Sequence, residues 1–169
     1  MNGNERLIKI FEHALQQEET GKTFFQSSLL RMGWGSAVSA FTCLIEEEEK
    51  HIRMIQKILA DLKKGEAIDG PPEEGALRTP IYSFEERAKK EFLDRCLEGS
   101  MVPEVTIFNT AWLIEKDLSE FYEGMAAQTE GKAKEVLMFL SRWEKEHEKF
   151  FREYHDRFSE MYSKIPWGG

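Results

Sequence analysis

Residues 144–151 read EKEHEKFF, and residues 46–53 read EEEEKHIR. Each stretch contains a glutamate followed three residues later by a histidine, in the pairs Glu48–His51 and Glu144–His147. Side chains at this spacing lie on one face of a helix. A pair that occurs twice in 169 residues is typical either of solvated surface charge or of the two halves of a metal site. The surrounding sequence distinguishes between these two interpretations.

Four long segments of the chain show the periodicity of amphipathic helices. Apolar residues recur at three- and four-residue spacing over about 4–31, 36–64, 103–129 and 131–162. The first two segments and the last two are each joined by a short connection that contains glycine, so each pair is expected to form an antiparallel hairpin. The sequence therefore predicts a single all-α domain over residues 1–169, a four-helix bundle made of two helical hairpins.

The connection between the two hairpins, residues 65–102, is much longer than the other two. Its first part is rich in glycine, proline and charge and is predicted to be a loop, whereas residues 83–99 are predicted to form a short extra helix with Ser83 as N-cap and Glu86 completing a capping box. A connection of this length can span a helix of about 42 Å within one chain or into a partner chain. We expect a homodimer, with helix-swapped exchange as an alternative.

Composition and charge exclude several classes of function. The net charge is −8 and the basic residues are not clustered, which argues against a nucleic-acid partner. No apolar run approaches the roughly 18 residues of a membrane span, and the N-terminal sequence lacks the apolar region of a signal peptide. The two cysteines, Cys43 and Cys96, lie outside any C-x-x-C motif. A disulfide framework is therefore not expected, and the cytoplasm is the expected compartment.

Along each predicted helix, the residues at helical spacing form a stripe that is apolar except at one level. The side chains that interrupt the four stripes are Glu18, Glu48, His51, Glu115, Glu144 and His147. Because a stripe of this kind faces the bundle core, all four helices direct a carboxylate inward. Neighbouring glutamates lie off the stripes and are expected to be solvated, namely Glu46, Glu47, Glu49 and Glu146.

Four inward carboxylates require compensating positive charge, because an unpaired buried charge costs on the order of several kcal/mol. No lysine or arginine lies on the stripes, whereas two divalent cations would balance the four negative charges. Four carboxylates and two imidazoles suit iron or manganese and match the ligand count of a dinuclear site in a helical bundle. We therefore predict two iron ions per chain, with manganese or a mixed pair as alternatives, and neither haem nor nucleotide.

The two halves of the chain also resemble each other. ALQQEETGKTFF (14–25) and AWLIEKDLSEFY (111–122) share an alanine, a glutamate four residues later and an aromatic pair. A Glu-x-x-His motif follows each of these glutamates by about 30 residues. Two such hairpins are expected to meet around an approximate twofold axis, with the metal ions at that axis.

On these motifs the chain resembles the ferritin-like di-iron carboxylate superfamily, and its rubrerythrin branch in particular. The resemblance covers the four long helices and rests on Glu18 with Phe24-Phe25, Glu48-x-x-His51, Glu115 with Phe121-Tyr122, and Glu144-x-x-His147. It implies that Glu48 and Glu144 bridge two irons, that Glu18 and Glu115 are terminal ligands, and that His51 and His147 each cap one iron.

The sequence departs from the rubrerythrin pattern in three respects. Leu118 stands where that pattern has a further glutamate, one turn after the ligand of the third helix. The four-cysteine rubredoxin module common in rubrerythrins is missing from the sequence, so an external electron donor such as a rubredoxin-type protein is expected. The connection between the hairpins is also longer than is usual in these families.

The resemblance implies an oxidoreductase that reduces hydrogen peroxide or O₂ in oxidative-stress defence. The alternatives are a ferroxidase or iron-handling protein, and a non-catalytic bundle that binds metal for stability. The non-catalytic bundle is less favoured than the other two functions, because apolar side chains would stabilise a bundle more simply than buried glutamates do.

A few other residues carry weaker predictions. Tyr122 and Tyr154 are candidates for a hydrogen bond to a ligand or an oxidised intermediate. His13 and His155 lie off the stripes and are expected to be exposed, and Cys43 is expected to be a small core residue. The four tryptophans carry no assigned chemistry.

Overall fold

The computed structural model describes residues 3–31, 36–72 and 102–164, and these residues form four α-helices and no strand. The helices are α1 (Gly3–Arg31), α2 (Ser36–Lys64), α3 (Val102–Ala126) and α4 (Gly131–Lys164). The predicted all-α bundle is confirmed. The short helix predicted at 83–99 and the tail at 165–169 lie outside the described residues.

Helices α1 and α2 pack together as one hairpin, and α3 and α4 pack together as the other. Ion pairs show that α1 and α2 are antiparallel. Lys63 near the end of α2 pairs with Glu12 of α1 at 2.8 Å, and Lys22 of α1 pairs with Glu49 of α2 at 3.1 Å. The two short-looped hairpins predicted from the sequence therefore form.

Helix α1 also packs against α3, and these two helices are antiparallel as well. Arg6 at the start of α1 donates to Gln128 just after α3. Glu18, later in α1, accepts from Tyr122, which lies earlier in α3. Since α2 and α3 both run antiparallel to α1, they run parallel to each other. The end of α2 and the start of α3 thus lie at opposite ends of the bundle, which requires a long connection between them. The homodimer and the helix-swapped alternative stay predictions.

A glycine and local hydrogen bonds mark where helices α2 and α3 end. Gly65, with φ of 76°, follows α2, and the amides of residues 65 and 66 donate to the carbonyls of Leu62 and Asp61. Helix α3 ends at Ala126, three residues before the predicted end at 129, because the chain turns there and the Thr129 hydroxyl donates to the Met125 carbonyl.

Among the described residues, most buried apolar side chains form two clusters, one toward each end of the bundle. The aliphatic-rich cluster comprises Ile10, Phe11, Ala14, Ile55, Ile58, Leu59, Leu62, Leu118, Tyr122, Ala126, Ala133, Val136, Leu137, Phe139, Leu140 and Trp143. The aromatic cluster comprises Phe25, Phe41, Leu44, Phe108, Ala111, Phe150, Phe151 and Tyr154. Every helix contributes to both clusters, so each helix has one level between them. None of the helices in the described ranges is long and apolar enough to cross a membrane.

Candidate metal centre

The level between the two apolar clusters is a band of buried polar side chains. The six predicted site residues make up this band, and all are buried: Glu18, Glu48, His51, Glu115, Glu144 and His147. The four glutamates are 0% exposed. Their burial follows from the stripes, because a buried apolar residue lies one turn before each glutamate on the same helix face, namely Ala14, Leu44, Ala111 and Leu140. The structure therefore brings the six residues together, while their role as ligands stays a prediction.

The six side chains form two overlapping groups of potential metal ligands. One group contains Glu18, Glu48, His51 and Glu144, and the other contains Glu48, Glu115, Glu144 and His147. Within each group, one ligand-type atom per residue lies within 4.8 Å of the corresponding atoms of the others. Glu48 and Glu144 belong to both groups. Two positions that share two carboxylates are the arrangement of a carboxylate-bridged pair of ions.

The two shared glutamates each direct one oxygen toward each histidine. Glu144 places Oε1 2.8 Å from Nδ1 of His51 and Oε2 3.2 Å from Nδ1 of His147. Glu48 places Oε2 4.0 Å from Nδ1 of His51 and Oε1 3.6 Å from Nδ1 of His147. A carboxylate oriented in this way can coordinate two ions at once.

The other two glutamates are each associated with one histidine. Oε2 of Glu18 lies 3.6 Å from Nδ1 of His51, and Oε2 of Glu115 lies 3.5 Å from Nδ1 of His147. Each exclusive pair thus combines one carboxylate and one imidazole. The division into two shared and two exclusive carboxylates agrees with the bridging and terminal roles that the resemblance implies.

Many of the ligand-type atoms in the band have no hydrogen-bond partner among the described residues. These atoms are both oxygens of Glu48 and Glu115, Oε2 of Glu18 and Nε2 of His51. Buried polar atoms without partners are rare in folded proteins and each demands an explanation. Convergent carboxylate oxygens cannot satisfy one another when ionised, whereas a cation satisfies several at once. The donor set fits two hard or borderline divalent ions.

Without a cation, the carboxyl groups of the band have strongly perturbed pKa values. Burial raises the pKa of Glu48 well above its ordinary value, and the charges of Glu144 and Glu18 raise it further. Burial raises the pKa of Glu115 to about 8, although His147 acts against this shift. For Glu144, burial also acts to raise the pKa, but His51 and His147 on either side lower it.

The imidazoles are perturbed in the direction that favours their charged form. Burial acts to lower the pKa of His51, but Glu144 and Glu18 raise it well above its ordinary value. Burial acts likewise on His147, and Glu115 and Glu144 raise its pKa to about 10. The metal-free band therefore holds protons on the same atoms that would coordinate an ion, so that ions and protons compete for these positions.

Tyr122 contacts the band from α3. Its buried hydroxyl donates a hydrogen bond to Oε1 of Glu18 on α1. Burial and the neighbouring Glu18 charge raise the pKa of Tyr122 well above its ordinary value, so this phenol keeps its proton. Tyr154, the other tyrosine singled out in the sequence, is buried in the aromatic cluster with ring centroids 5.8 Å from Phe108 and 4.7 Å from Phe150. Catalytic roles for both tyrosines stay predictions.

Trp143 is a neighbour of the band to which the sequence pattern assigns no chemistry. Its ring meets the ring of His51 edge-on, with centroids 4.9 Å apart and planes at 86°, and it also packs against Phe139. The position of Trp143 immediately before Glu144 places it at the level of the band. Its contact with a histidine of α2 depends on how the helices are arranged, which the one-dimensional pattern does not show.

Two predictions about residues outside the band are wrong. Cys43, expected in the core, is exposed, because it lies one residue before the buried Leu44 and thus about 100° away around the helix. His155, expected to be exposed, is half-buried against the ring of Trp112, with centroids 5.2 Å apart. His13 is exposed, as predicted.

The off-stripe glutamates divide into two kinds. Glu46 and Glu146 are exposed, as predicted. Glu47 and Glu49, also expected to be solvated, are instead half-buried. Glu47 pairs with Lys50 at 2.7 Å, and Glu49 pairs with Lys22 at 3.1 Å. None of the four belongs to either group of potential ligands.

The family model for rubrerythrin matches residues 9–155 of this chain, a range that includes all six residues of the band. No curated protein and no solved structure matched the sequence.

Proposed function

Because this chain belongs to the rubrerythrin family, we propose that it is a di-iron oxidoreductase that reduces hydrogen peroxide or O₂. The observation that carries the proposal is the geometry of Glu48 and Glu144, each of which directs one oxygen toward each histidine. In a site of this kind, two bound iron ions supply two electrons together, so that one H₂O₂ and two protons yield two water molecules.

The residues of the band have distinct roles in this proposal. Glu48 and Glu144, the two glutamates shared by both groups, would hold both ions. Glu18 with His51 completes one position, and Glu115 with His147 completes the other. The apolar clusters on both sides of the band restrict the access of water and stray reductants. Tyr122 holds a proton on the hydroxyl that contacts Glu18.

A catalytic role fits the composition of the band better than a purely structural role does. Replacing buried charged groups by apolar side chains of similar volume is often neutral or stabilising, so stability alone does not require four buried glutamates. We further propose that an external one-electron carrier of the rubredoxin type returns the ions to the reduced state. A ferroxidase shares the same ligand set and is distinguished from a peroxide reductase by the preferred oxidant.

The proposal is tested by loading the protein anaerobically with Fe(II) and mixing it with H₂O₂ and, separately, with O₂ in a stopped-flow instrument. We expect two iron ions per chain, faster oxidation by H₂O₂ than by O₂, and one H₂O₂ consumed for every two ions oxidised. Preferential reaction with O₂ together with accumulation of ferric iron beyond two ions per chain would identify a ferroxidase instead. Oxidation no faster than that of Fe(II) in buffer would contradict both functions.

A further inference from the structure

The two halves of the sequence repeat differ at one position next to the terminal glutamates. Glu18 and Glu115 are 97 residues apart, and so are Phe25 and Tyr122, because each aromatic residue follows its glutamate by seven residues. The second half thus carries a phenol where the first carries a phenyl ring. The repeat is therefore symmetric in its potential ligands but not in the side chains next to them.

The phenol of Tyr122 acts across the bundle rather than on its own half. It donates to Oε1 of Glu18, so that only Oε2 of Glu18 lacks a hydrogen-bond partner among the described residues. By contrast, no hydroxyl donates to either oxygen of Glu115 in the described part of the chain, where Nδ1 of His147 lies 3.5 Å from its Oε2. Phe25, at the equivalent position, has no hydroxyl to donate. Each terminal carboxylate lies beside one imidazole, but only Glu18 is also restrained by a hydrogen bond from a hydroxyl.

A hydrogen bond to one oxygen of a ligand carboxylate changes how that ligand behaves. A bond to a charged acceptor is stronger than a neutral one and fixes the orientation of the group. Loss of such a supporting partner typically weakens metal binding by about 10–100-fold. Glu18 would thus be held with one oxygen on Tyr122 and the other available to an ion, whereas Glu115 has no hydroxyl that would fix its orientation in this way.

We infer that Tyr122 is a positioning residue that makes the two metal positions unequal. The ion at Glu18 and His51 is the slowly exchanging one, and the ion at Glu115 and His147 exchanges readily. This inference rests on the proposed dinuclear centre and adds to it an order of release. It concerns ion exchange and is therefore measurable without any turnover.

The test uses Co(II), whose visible absorption reports its coordination. Protein loaded anaerobically with two Co(II) ions is mixed with excess EDTA, and the loss of absorption is followed. We expect two phases from the wild type, one for each bound ion, with rates about tenfold apart or more. Tyr122→Phe should accelerate the slow phase by about tenfold and leave the fast phase unchanged. Ser141→Ala is the matched control, because it removes a buried hydroxyl that donates to the Ser119 carbonyl at 3.1 Å and not to a ligand.

A pair of conservative variants assigns each phase to its position. Glu18→Asp shortens one terminal carboxylate by a methylene and should accelerate only the slow phase, whereas Glu115→Asp should accelerate only the fast phase. These variants and the wild type decide the question even when Tyr122→Phe fails to fold. A single release phase in the wild type, the reverse assignment, or an unchanged slow phase in Tyr122→Phe would overturn the inference and leave the centre standing. Binding of fewer than two Co(II) ions would overturn the proposed centre as well.

Discussion

The aromatic cluster and the band of buried glutamates and histidines are neighbours on the same four helices and are buried to the same extent, yet their interactions are opposite. In the aromatic cluster, Phe41 meets Phe25, Phe108 and Phe151 with ring centroids 5.6–5.9 Å apart and planes at 61–75°, a favourable edge-to-face arrangement. In the band, most carboxylate oxygens have no hydrogen-bond partner among the described residues. Burial alone therefore does not distinguish the two regions, whereas the concentration of carboxylate oxygens without hydrogen-bond partners at one level of the bundle does.

The largest expected effect is that of Glu144→Ala. This change removes a carboxylate that directs one oxygen toward each histidine, so that both proposed metal positions would lose a ligand. We expect iron content to fall from two ions per chain to nearly none and oxidation by H₂O₂ to be lost, while circular dichroism still reports helix. Retention of both ions by this variant would show that Glu144 is not shared.

A change of comparable severity but of the opposite kind is Phe41→Ala in the aromatic cluster. Removing a fully buried phenyl ring should cost about 3–5 kcal/mol of unfolding free energy, or roughly 2–4 °C of Tm for each kcal/mol. Below its lowered Tm the variant should still bind two ions, because Phe41 lies two helical turns from Glu48. Thermal melts combined with metal analysis measure both quantities. Loss of metal from the folded variant would show that the cluster and the band are not separable.

His147→Ala should have an intermediate effect on metal content. The change removes one ligand from one position and leaves the four inward carboxylates in place. We expect about one ion per chain to be retained, with the helices intact and oxidation by two electrons lost. Equilibrium dialysis against Fe(II) under anaerobic conditions gives the stoichiometry, and loss of both ions would mean that the two positions fill only together.

A smaller and gradual effect is expected when the pH of the metal-free protein is raised. Glu115 has a pKa of about 8 in the folded state against 4.5 ordinarily, and His147 about 10 against 6.5, so the folded chain holds more protons than the unfolded chain. Both shifts therefore reduce stability as the pH rises, over about 4.5–8 for Glu115 and 6.5–10 for His147. Bound metal replaces these protons, so the difference in Tm between loaded and metal-free protein should widen from pH 6 to pH 8. A constant difference would contradict the competition between ions and protons.

Glu146→Ala should have the smallest effect of all. Glu146 lies two residues from Glu144 but is exposed, and exposed substitutions of this kind usually change stability by less than about 0.5 kcal/mol. Metal content, oxidation rate and Tm should all match those of the wild type. If Glu146→Ala lost as much metal as Glu144→Ala, the inward face of α4 would be wrongly assigned.

The features that depend on spacing along one helix could be predicted from the sequence. The helices begin and end within three residues of the predicted positions, because long apolar stripes and glycine-containing turns are strong local signals. The same stripes predict the six residues of the band, because a charged side chain that interrupts an apolar helix face points toward the core.

The features that depend on neighbouring helices could not be predicted in the same way. The contact of Trp143 with His51, and the choice of Glu18 as the acceptor for Tyr122, require knowing which helices are adjacent and how each is rotated. The exposure of Cys43 likewise depends on how α2 is rotated about its axis relative to its neighbours. The end of α3 at Ala126 reflects a side-chain hydrogen bond from Thr129 in a turn that the apolar pattern does not cover.

Neither group of potential ligands is complete within one hairpin, and this has a consequence for how the chain assembles. The first hairpin supplies three members of one group but needs Glu144 from α4, and the second hairpin supplies three members of the other but needs Glu48 from α2. An ion bound by either complete group is a reversible cross-link between the two halves of the chain, and it closes a loop that contains the long connection. Because the cost of closing a loop rises only slowly with its length, that connection can vary in length at little energetic cost as long as the hairpins meet.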